Sequence, residues 1–150
     1  MDIPPSRIPP SRIPAGFREL TEASGFAAAN GPWFEKIEDG RSIRGFMPGP
    51  QHANALGIVH GGMLAAFLDS AMGVSVWQTL QRRAVTLTLS LDYLGPARIG
   101  DWLEAVGEVV GHDEQMAQVR GRLYGPRHQV LGGLGAFALL SRQRTLKTRS

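Results

Sequence analysis

The chain contains no cysteine among its 150 residues, which excludes a disulfide framework and thiol chemistry. It also lacks an apolar run long enough to span a membrane and a secretory signal at its start. Charge is modest, because 16 basic and 13 acidic residues give a net charge of +3. From these absences we expect a cytoplasmic protein, with one main domain that is long enough for a core.

Charged side chains are also scarce in the middle of the chain, where Asp69 is the only one between Gly57 and Leu80. A lone acid in an apolar segment is costly to bury without partners, so its presence needs a reason. The glycine pair Gly61-Gly62 precedes it, at the expected start of a helix, and exposed N–H groups there suit an anionic or polarised oxygen. This combination indicates a site for carbonyl chemistry, with hydrogen-bond donors and a nearby base.

The two ends of the chain differ from the middle. Proline recurs through residues 2–14, where Ile-Pro-Pro-Ser-Arg is written twice and begun a third time, which is typical of extended chain. We therefore expect an extended or disordered tail over 1–14, a folded domain over 15–141 and a basic tail over 142–150. The basic tail is either a solvated segment or one that attracts phosphates. No motif supports nucleic-acid binding.

Periodicity and turn signals predict an α+β protein. A mild helical pattern covers residues 17–30, and a long helix apolar on nearly every side is expected over 61–81. Strands are expected over the ranges 33–38, 42–47, 85–93, 102–110, 114–124 and 128–140. A mainly antiparallel sheet of about six strands wrapped around one helix satisfies this order. One curved sheet does not cover such a helix completely, and a dimer would supply the remaining cover.

Alternation predicts which side of two strands faces the core. In the strand over 85–93, Val85, Leu87, Leu89, Leu91 and Tyr93 alternate with polar residues, so we expect them to share the inner face. The same argument predicts an inner face of Ala117, Val119, Gly121 and Leu123 in the strand over 114–124.

The motif Asn54-x-x-Gly57-x-x-His60-Gly61-Gly62, followed by Asp69, resembles that of the hotdog-fold acyl-CoA thioesterases of the phenylacetate-pathway type. The strand ending in Tyr93-Leu-Gly-Pro-Ala-Arg98 supports the resemblance, which covers roughly residues 30–141. It implies hydrolysis of acyl-CoA to a free acid and coenzyme A. It also implies active sites at a dimer interface and pairing of dimers into a homotetramer.

The resemblance assigns roles to five residues. Asp69 would be the general base or the nucleophile, and the Gly61 backbone N–H would stabilise the oxyanion. Asn54 would orient the thioester or the water, unless it only caps its own loop. His60 would lie near the thioester sulfur, unless it is a structural histidine. Thr86 would position the attacking water, although the alternation leaves open whether it faces the site.

Binding of the substrate is expected from a second set of residues: Gly62, Met63, Arg98 and Arg127. Gly62 permits tight packing of the turn. Met63 belongs to a set that either lines an apolar tunnel or fills the core, with Met47, Phe67 and Met72. Arg98 and Arg127 are candidates for holding the phosphates of coenzyme A. No metal is expected, since the spacing of His52, His60 and Asp69 matches no zinc pattern, and coenzyme A enters only as part of the substrate.

Three other interpretations stay open at this point. The chain could be an acyl-CoA-binding or sensing module without catalysis, although a pure binder gains little from a buried acid. It could be a hydratase of the same fold, although the hydration motif of those enzymes is absent. The proline-rich tail could itself be the functional part, as a peptide ligand.

Overall fold

The computed structural model describes residues 8–23 and 25–141, so the predicted basic tail over 142–150, the first seven residues and residue 24 lie outside the described chain. Two short 3-10 turns occur at Pro10–Arg12 and Pro50–His52. The helices and strands, in chain order, are β1 (Arg18–Glu19), α1 (Gly25–Asn30), β2 (Trp33–Glu38), β3 (Arg41–Phe46), α2 (Gly61–Leu80), β4 (Ala84–Tyr93), β5 (Leu103–His112), β6 (Met116–Tyr124) and β7 (Gln129–Leu139).

One curved antiparallel sheet contains all seven strands, in the order β1-β2-β3-β5-β6-β7-β4. Helix α2 packs against this sheet and contacts β3, β4, β5, β6 and β7. The hairpin β2–β3 turns at Asp39-Gly40, where both residues have positive φ, as the sequence signal predicts. The expected α+β hotdog architecture is confirmed, with seven strands rather than about six.

The core lies between α2 and the concave face of the sheet. Phe67, Leu68 and Met72 of the helix are completely buried, and Val119 and Leu123 of β6 are buried opposite them. Alternation along β6 agrees with the predicted inner face, because every second residue from Ala117 to Leu123 is buried. Gly121 permits the close approach, since a Cβ there would lie 2.7 Å from the Met72 sulfur.

Among the described residues, helix α2 is covered on one side only, as expected for an all-round apolar helix packed on a single sheet. Gly62 and Trp77 are exposed on its outer side, with Trp77 at 49%. This open face lies away from the sheet, because one sheet can contact only part of a helix's circumference. Of the helices within residues 8–23 and 25–141, none combines the length and apolar character that a membrane crossing requires.

The helix predicted over 17–30 is wrong for its first half. Arg18 and Glu19 form β1 and pair with Glu35 and Phe34 of β2, and α1 begins only at Gly25. Phe17 packs edge-on against Trp102, 5.1 Å between ring centroids. Strand pairing and this aromatic contact stabilise extended chain more than a weak helical pattern stabilises a helix. This segment supplies the seventh strand.

The predicted inner face of β4 is wrong for two residues. Val85 and Leu87 are 52% and 53% exposed, whereas Leu89 and Leu91 pack against the core and Tyr93, although 52% exposed, contacts Gly61 of α2. The register with β7 shifts between Thr86 and Thr88, so one residue is extra on β4. Such a bulge reverses the side to which the preceding residues point. Thr86 therefore faces inward, on the same side as α2.

Candidate active site

The first turn of α2 leaves one backbone donor without a partner. Four N–H groups at a helix start have no partner inside the helix. The His60 side chain satisfies one of them, because its Nδ1 accepts from Gly62 N at 2.8 Å. The His60 carbonyl accepts from Met63 N and Leu64 N, at 2.9 and 3.2 Å. Among the described residues nothing accepts from Gly61 N–H, so this group is available to a ligand.

The hydrogen bond from Gly62 N–H also determines which nitrogen of the neutral His60 ring carries the proton. Because Nδ1 accepts a hydrogen bond, the neutral ring carries its proton on Nε2. The side chain is exposed, and Nε2–H donates to no described acceptor. His60 is therefore both a helix cap and a second donor beside Gly61.

Tyr93, at the end of β4, contacts the first turn of α2. Its hydroxyl donates to the Gly61 carbonyl at 2.6 Å, and a Cβ added to Gly61 would lie 3.3 Å from its ring. The hydrogen bond fixes the Gly61–Gly62 peptide, which adjoins the peptide that carries the free N–H. Sequence reasoning missed this role, although Tyr93 stood in the motif that carried the resemblance.

The carboxylate of Asp69 lies on the side of α2 that faces β4. Its Oδ1 accepts from Thr86 Oγ1 at 2.7 Å, and the residue is half-buried. The inward turn of Thr86, which the bulge produces, makes this contact. The structure thus brings Thr86 to Asp69, where it orients the carboxylate itself, while Gly61 and His60 lie together at the start of α2.

Asp69 and Gly61 are far apart within one chain. They are eight residues apart on the same helix, which corresponds to about 12 Å along its axis. A thioester carbonyl at the Gly61 N–H is therefore out of reach of the Asp69 carboxylate of the same chain. A single chain therefore carries the predicted oxyanion donor and the predicted base at separate places.

Asn54 organises the loop before α2. Its Oδ1 accepts from Leu56 N at 2.9 Å and from Ile58 N at 3.3 Å. Its backbone N–H donates to the Ile58 carbonyl. The oxygen is thus engaged in the loop, as the capping alternative predicted. The Nδ2 amide forms no hydrogen bond with a described residue and is the part of Asn54 that a substrate can use.

His52 supports this loop from the core. It is 4% exposed, its Nδ1 accepts from Gly49 N at 2.9 Å, and its ring packs edge-on against Phe46. Burial lowers the pKa of His52, and the backbone of Asn30 and Gly49 opposes this only in part. The His60 N–H donates to the His52 carbonyl at 2.8 Å, so His52 helps position the start of α2.

The chain is similar to known proteins across this site. A family model described as the thioesterase superfamily matches residues 56–130, which include the α2 start, Asp69 and β4. A protein of Pseudomonas aeruginosa that is provisionally assigned as an esterase, PA0474, is 31% identical over 127 residues, covering 83% of this chain and 95% of its own.

This chain belongs to the thioesterase superfamily.

Two solved structures extend the comparison. The BH2602 protein from Bacillus halodurans, crystallised with CoA, is 31% identical with a TM-score of 0.71, covering 82% of this chain and 83% of that one. A variant of the phenylacetic acid degradation protein PaaI from Thermus thermophilus is 25% identical with a TM-score of 0.69. It covers 77% of this chain and 98% of that one.

Of the two basic candidates in this thioesterase-superfamily chain, Arg127 is already paired. Its guanidinium contacts both carboxylate oxygens of Asp101, at 2.5 and 3.4 Å. Arg98 is exposed and forms no ion pair with a described residue, while its backbone bridges to Ile58 in the loop before α2. Arg98 is therefore unpaired among the described residues and adjoins the loop before α2, whereas Arg127 would have to leave Asp101 to bind phosphate.

The remaining candidates have structural positions. The N–H of Gly62 is used by the His60 cap, and a Cβ on Gly62 would lie 3.0 Å from that ring, so a glycine fits the turn. Met63, 7% exposed, belongs to the core cluster together with Phe67 and Met72. Of the two alternatives for Met63, an apolar tunnel or the core, the single chain therefore shows the core. No three His, Asp or Glu side chains within 8–23 and 25–141 are grouped as metal ligands would be.

Proposed function

We propose that this chain hydrolyses acyl-CoA thioesters to a free acid and coenzyme A. The observation that carries the proposal is the hydrogen bonding at the start of α2. Among the described residues, Gly61 N–H is the one backbone donor of the first turn that has no acceptor. It lies at the positive end of a 20-residue helix. A thioester oxygen that gains negative charge during attack matches such a donor.

Asp69 supplies the second half of the chemistry. As general base, its carboxylate takes a proton from water while the water oxygen bonds to the thioester carbon. The carbon–sulfur bond then breaks and the thiolate leaves, taking a proton from His60 Nε2–H or from Asp69. As nucleophile, the carboxylate would instead form an anhydride that water opens. Thr86 Oγ1, 2.7 Å from Asp69 Oδ1, holds the carboxylate in either case.

We propose that the complete site is built from two chains. Gly61 and Asp69 are separated by about 12 Å along one helix, but two antiparallel copies of α2 would place Asp69 of one protomer opposite the partner's Gly61. The twofold axis would then pass near Ala65 and Ala66, midway between them, where small side chains permit close approach. The open face of α2 and the edge strand β4 are free to accept this second copy. Two such dimers would form the proposed tetramer.

The proposal also concerns the identity of the acyl group. The likeness to PaaI of Thermus thermophilus favours aryl acyl groups of the phenylacetyl kind over long fatty chains. The CoA in the BH2602 structure supports coenzyme A as the carrier, and the exposed Arg98, whose backbone bridges to Ile58, is our candidate for binding its phosphates.

Release of free CoA thiol from a panel of acyl-CoAs tests the function. The panel spans aryl, short, medium and long acyl groups, and wild type is compared with Asp69→Ala and Asp69→Asn. We expect turnover in the wild type and a loss of roughly 10²-fold or more in both variants, because each lacks the carboxylate base. Unchanged turnover in the variants would exclude the role of Asp69.

The same panel distinguishes catalysis from binding alone. If wild type releases thiol no faster than buffer yet binds acyl-CoA in calorimetry, the chain is an acyl-CoA-binding module and the hydrolase proposal is wrong. Deleting residues 1–14 serves as a further control. Activity that is retained in this deletion variant excludes the proline-rich tail as the functional part.

A further inference from the structure

The side chains of Tyr93 and His60 are connected by hydrogen bonds through one peptide group. The Tyr93 hydroxyl donates to the Gly61 carbonyl at 2.6 Å, and Gly62 N donates to His60 Nδ1 at 2.8 Å. The Gly61 carbonyl and the Gly62 N–H belong to the same peptide. A residue at the end of β4 is therefore linked to the residue that precedes α2.

The chemistry of the groups determines the direction of each hydrogen bond. A carbonyl oxygen can only accept, so the Tyr93 hydroxyl donates its single proton to Gly61. A backbone N–H can only donate, so His60 Nδ1 accepts. Both hydrogen bonds thus point from Tyr93 towards His60, and hydrogen bonds aligned in this way strengthen one another by about 10–30% per bond.

The helix itself does not require the hydrogen bond from Tyr93. Gly61 is the first residue of α2, so its carbonyl also accepts the ordinary helix hydrogen bond from four residues further along. Tyr93 is 52% exposed and so buries only part of its ring. Its hydroxyl is a second donor to a carbonyl that already has one, and what it adds is the orientation of the peptide plane.

The two rings lie against the two glycines that this peptide joins. A Cβ on Gly61 would lie 3.3 Å from the Tyr93 ring, and a Cβ on Gly62 would lie 3.0 Å from the His60 ring. Rotation of the Gly61–Gly62 peptide would break the hydrogen bonds to Tyr93 and His60 together. The orientation of the His60 ring therefore depends on Tyr93.

We infer that Tyr93 is a positioning residue for His60, and that it acts through the Gly61–Gly62 peptide to hold the ring with Nε2–H available to the leaving thiolate. The inference rests on the proposed thioesterase function and adds a residue to that site. Tyr93 acts through His60 and not on the thioester itself.

His60 can stabilise the thiolate without giving up its proton. In the neutral ring Nδ1 carries no proton, so loss of Nε2–H would leave an imidazolate anion. The ring therefore donates a hydrogen bond to the sulfur as the carbon–sulfur bond breaks. In the general-base route, the proton that Asp69 took from water passes to the sulfur, and the water oxygen stays in the free acid.

The variant Tyr93→Phe tests the inference, because it removes only the hydroxyl and keeps the ring beside Gly61. We expect kcat for acyl-CoA hydrolysis to fall roughly threefold to tenfold, as for the loss of one hydrogen bond. KM should stay within about twofold, because the affected hydrogen bond forms as the thiolate leaves. Tyr124→Phe is the matched control, since Tyr124 ends β6, is 40% exposed and loses the same hydroxyl, and it should keep the wild-type kcat.

A second background determines whether Tyr93 acts through His60. In His60→Asn a cap is kept, because asparagine also accepts from N–H groups at helix starts, but its side chain is too short to place a donor where Nε2–H lies. Adding Tyr93→Phe to this variant should change kcat by less than about twofold, because the group that Tyr93 positions is absent.

NMR of isotope-labelled protein measures the connection without catalysis. The Gly62 amide proton should move upfield in Tyr93→Phe, since its hydrogen bond to His60 Nδ1 weakens, and the nitrogen signals of the His60 ring should change with it. In Tyr124→Phe both sets of signals should stay as in wild type. Circular dichroism and size-exclusion chromatography should give the same helix content and oligomeric state for all variants.

The inference is wrong if Tyr93→Phe leaves either kcat or the Gly62 signal unchanged, if it raises KM in place of lowering kcat, or if it alters the helix content. It is also wrong if the loss is as large in His60→Asn as in wild type. A wild type that turns over no acyl-CoA gives a different result, which contradicts the thioesterase proposal alone. The NMR signals then decide, because signals that move in Tyr93→Phe and not in Tyr124→Phe support the connection, and signals that do not move overturn it.

Discussion

At the scale of single residues, the site depends on which polar atoms remain unpaired. The Gly61 N–H is free because His60 satisfies three neighbouring donors through its ring and its carbonyl. The sequence motif could indicate a donor at this glycine pair, since helix starts always leave N–H groups free. The resemblance assigned the donor to Gly61, whereas the residues alone do not separate Gly61 from Gly62, because that depends on the ring orientation of His60.

Substituting Gly61 with proline removes this N–H and little else. Gly61 is the first residue of α2, where proline is well tolerated, and His60 has φ −59° and ψ 131°, as a residue before proline requires. We expect kcat for acyl-CoA hydrolysis to fall roughly 10²-fold to 10³-fold. The measurement is steady-state thiol release, with the helix content checked by circular dichroism.

Gly61→Ala is the matched control, because it adds a Cβ at the same place, 3.3 Å from the Tyr93 ring, and keeps the N–H. It should retain most of the activity that Gly61→Pro loses. Equal losses in the two variants would mean that crowding against Tyr93, and not the missing donor, explains the effect.

At the scale of elements, alternation predicted β6 correctly and β4 only in part. In β6 one side is polar and the other apolar, so the buried side is unambiguous. In β4 apolar residues continue at every second position through the bulge at Leu87. The sequence therefore gives no sign that the register with β7 shifts there. The contact from Thr86 to Asp69 depends on that bulge, which is why the sequence left the orientation of Thr86 open.

The loop before α2 should be destabilised by acid through His52. Burial holds the pKa of His52 below its usual value of 6.5, so the folded chain keeps the ring neutral while the unfolded chain takes up a proton. Stability is therefore full above pH 6.5 and falls as the pH drops below it, by at most about 1.4 kcal/mol per pH unit. Urea unfolding between pH 5 and pH 7.5 measures this slope.

The variant His52→Gln should be less stable overall, but its free energy of unfolding should depend less on pH in this range. His112→Gln is the control, since His112 is exposed at the end of β5, and it should keep the wild-type slope. If His52→Gln keeps that slope, another group is responsible for the acid sensitivity.

At the scale of the whole molecule, one chain leaves two surfaces that a second copy would complete. Strand β4 ends the sheet with ten residues at its outer edge, and Val85 and Leu87 are about half exposed on it. A long apolar edge strand of this kind invites pairing with another chain. The composition of α2 predicted this need for more cover, and the helix predicted over 61–81 already contained Gly61 and Asp69 eight residues apart.

Mixing two inactive variants tests whether each site uses two chains. Gly61→Pro and Asp69→Ala should each be inactive alone, because every site lacks one partner. In a heterodimer, one site receives Asp69 from the first chain and Gly61 from the second and is intact, while the other site carries both changes. Denaturing and refolding an equal mixture should therefore restore activity, to about a quarter of the wild-type level if chains pair at random. Refolded single variants are the control, and a mixture that stays inactive while heterodimers form would place Gly61 and Asp69 of one site in the same chain.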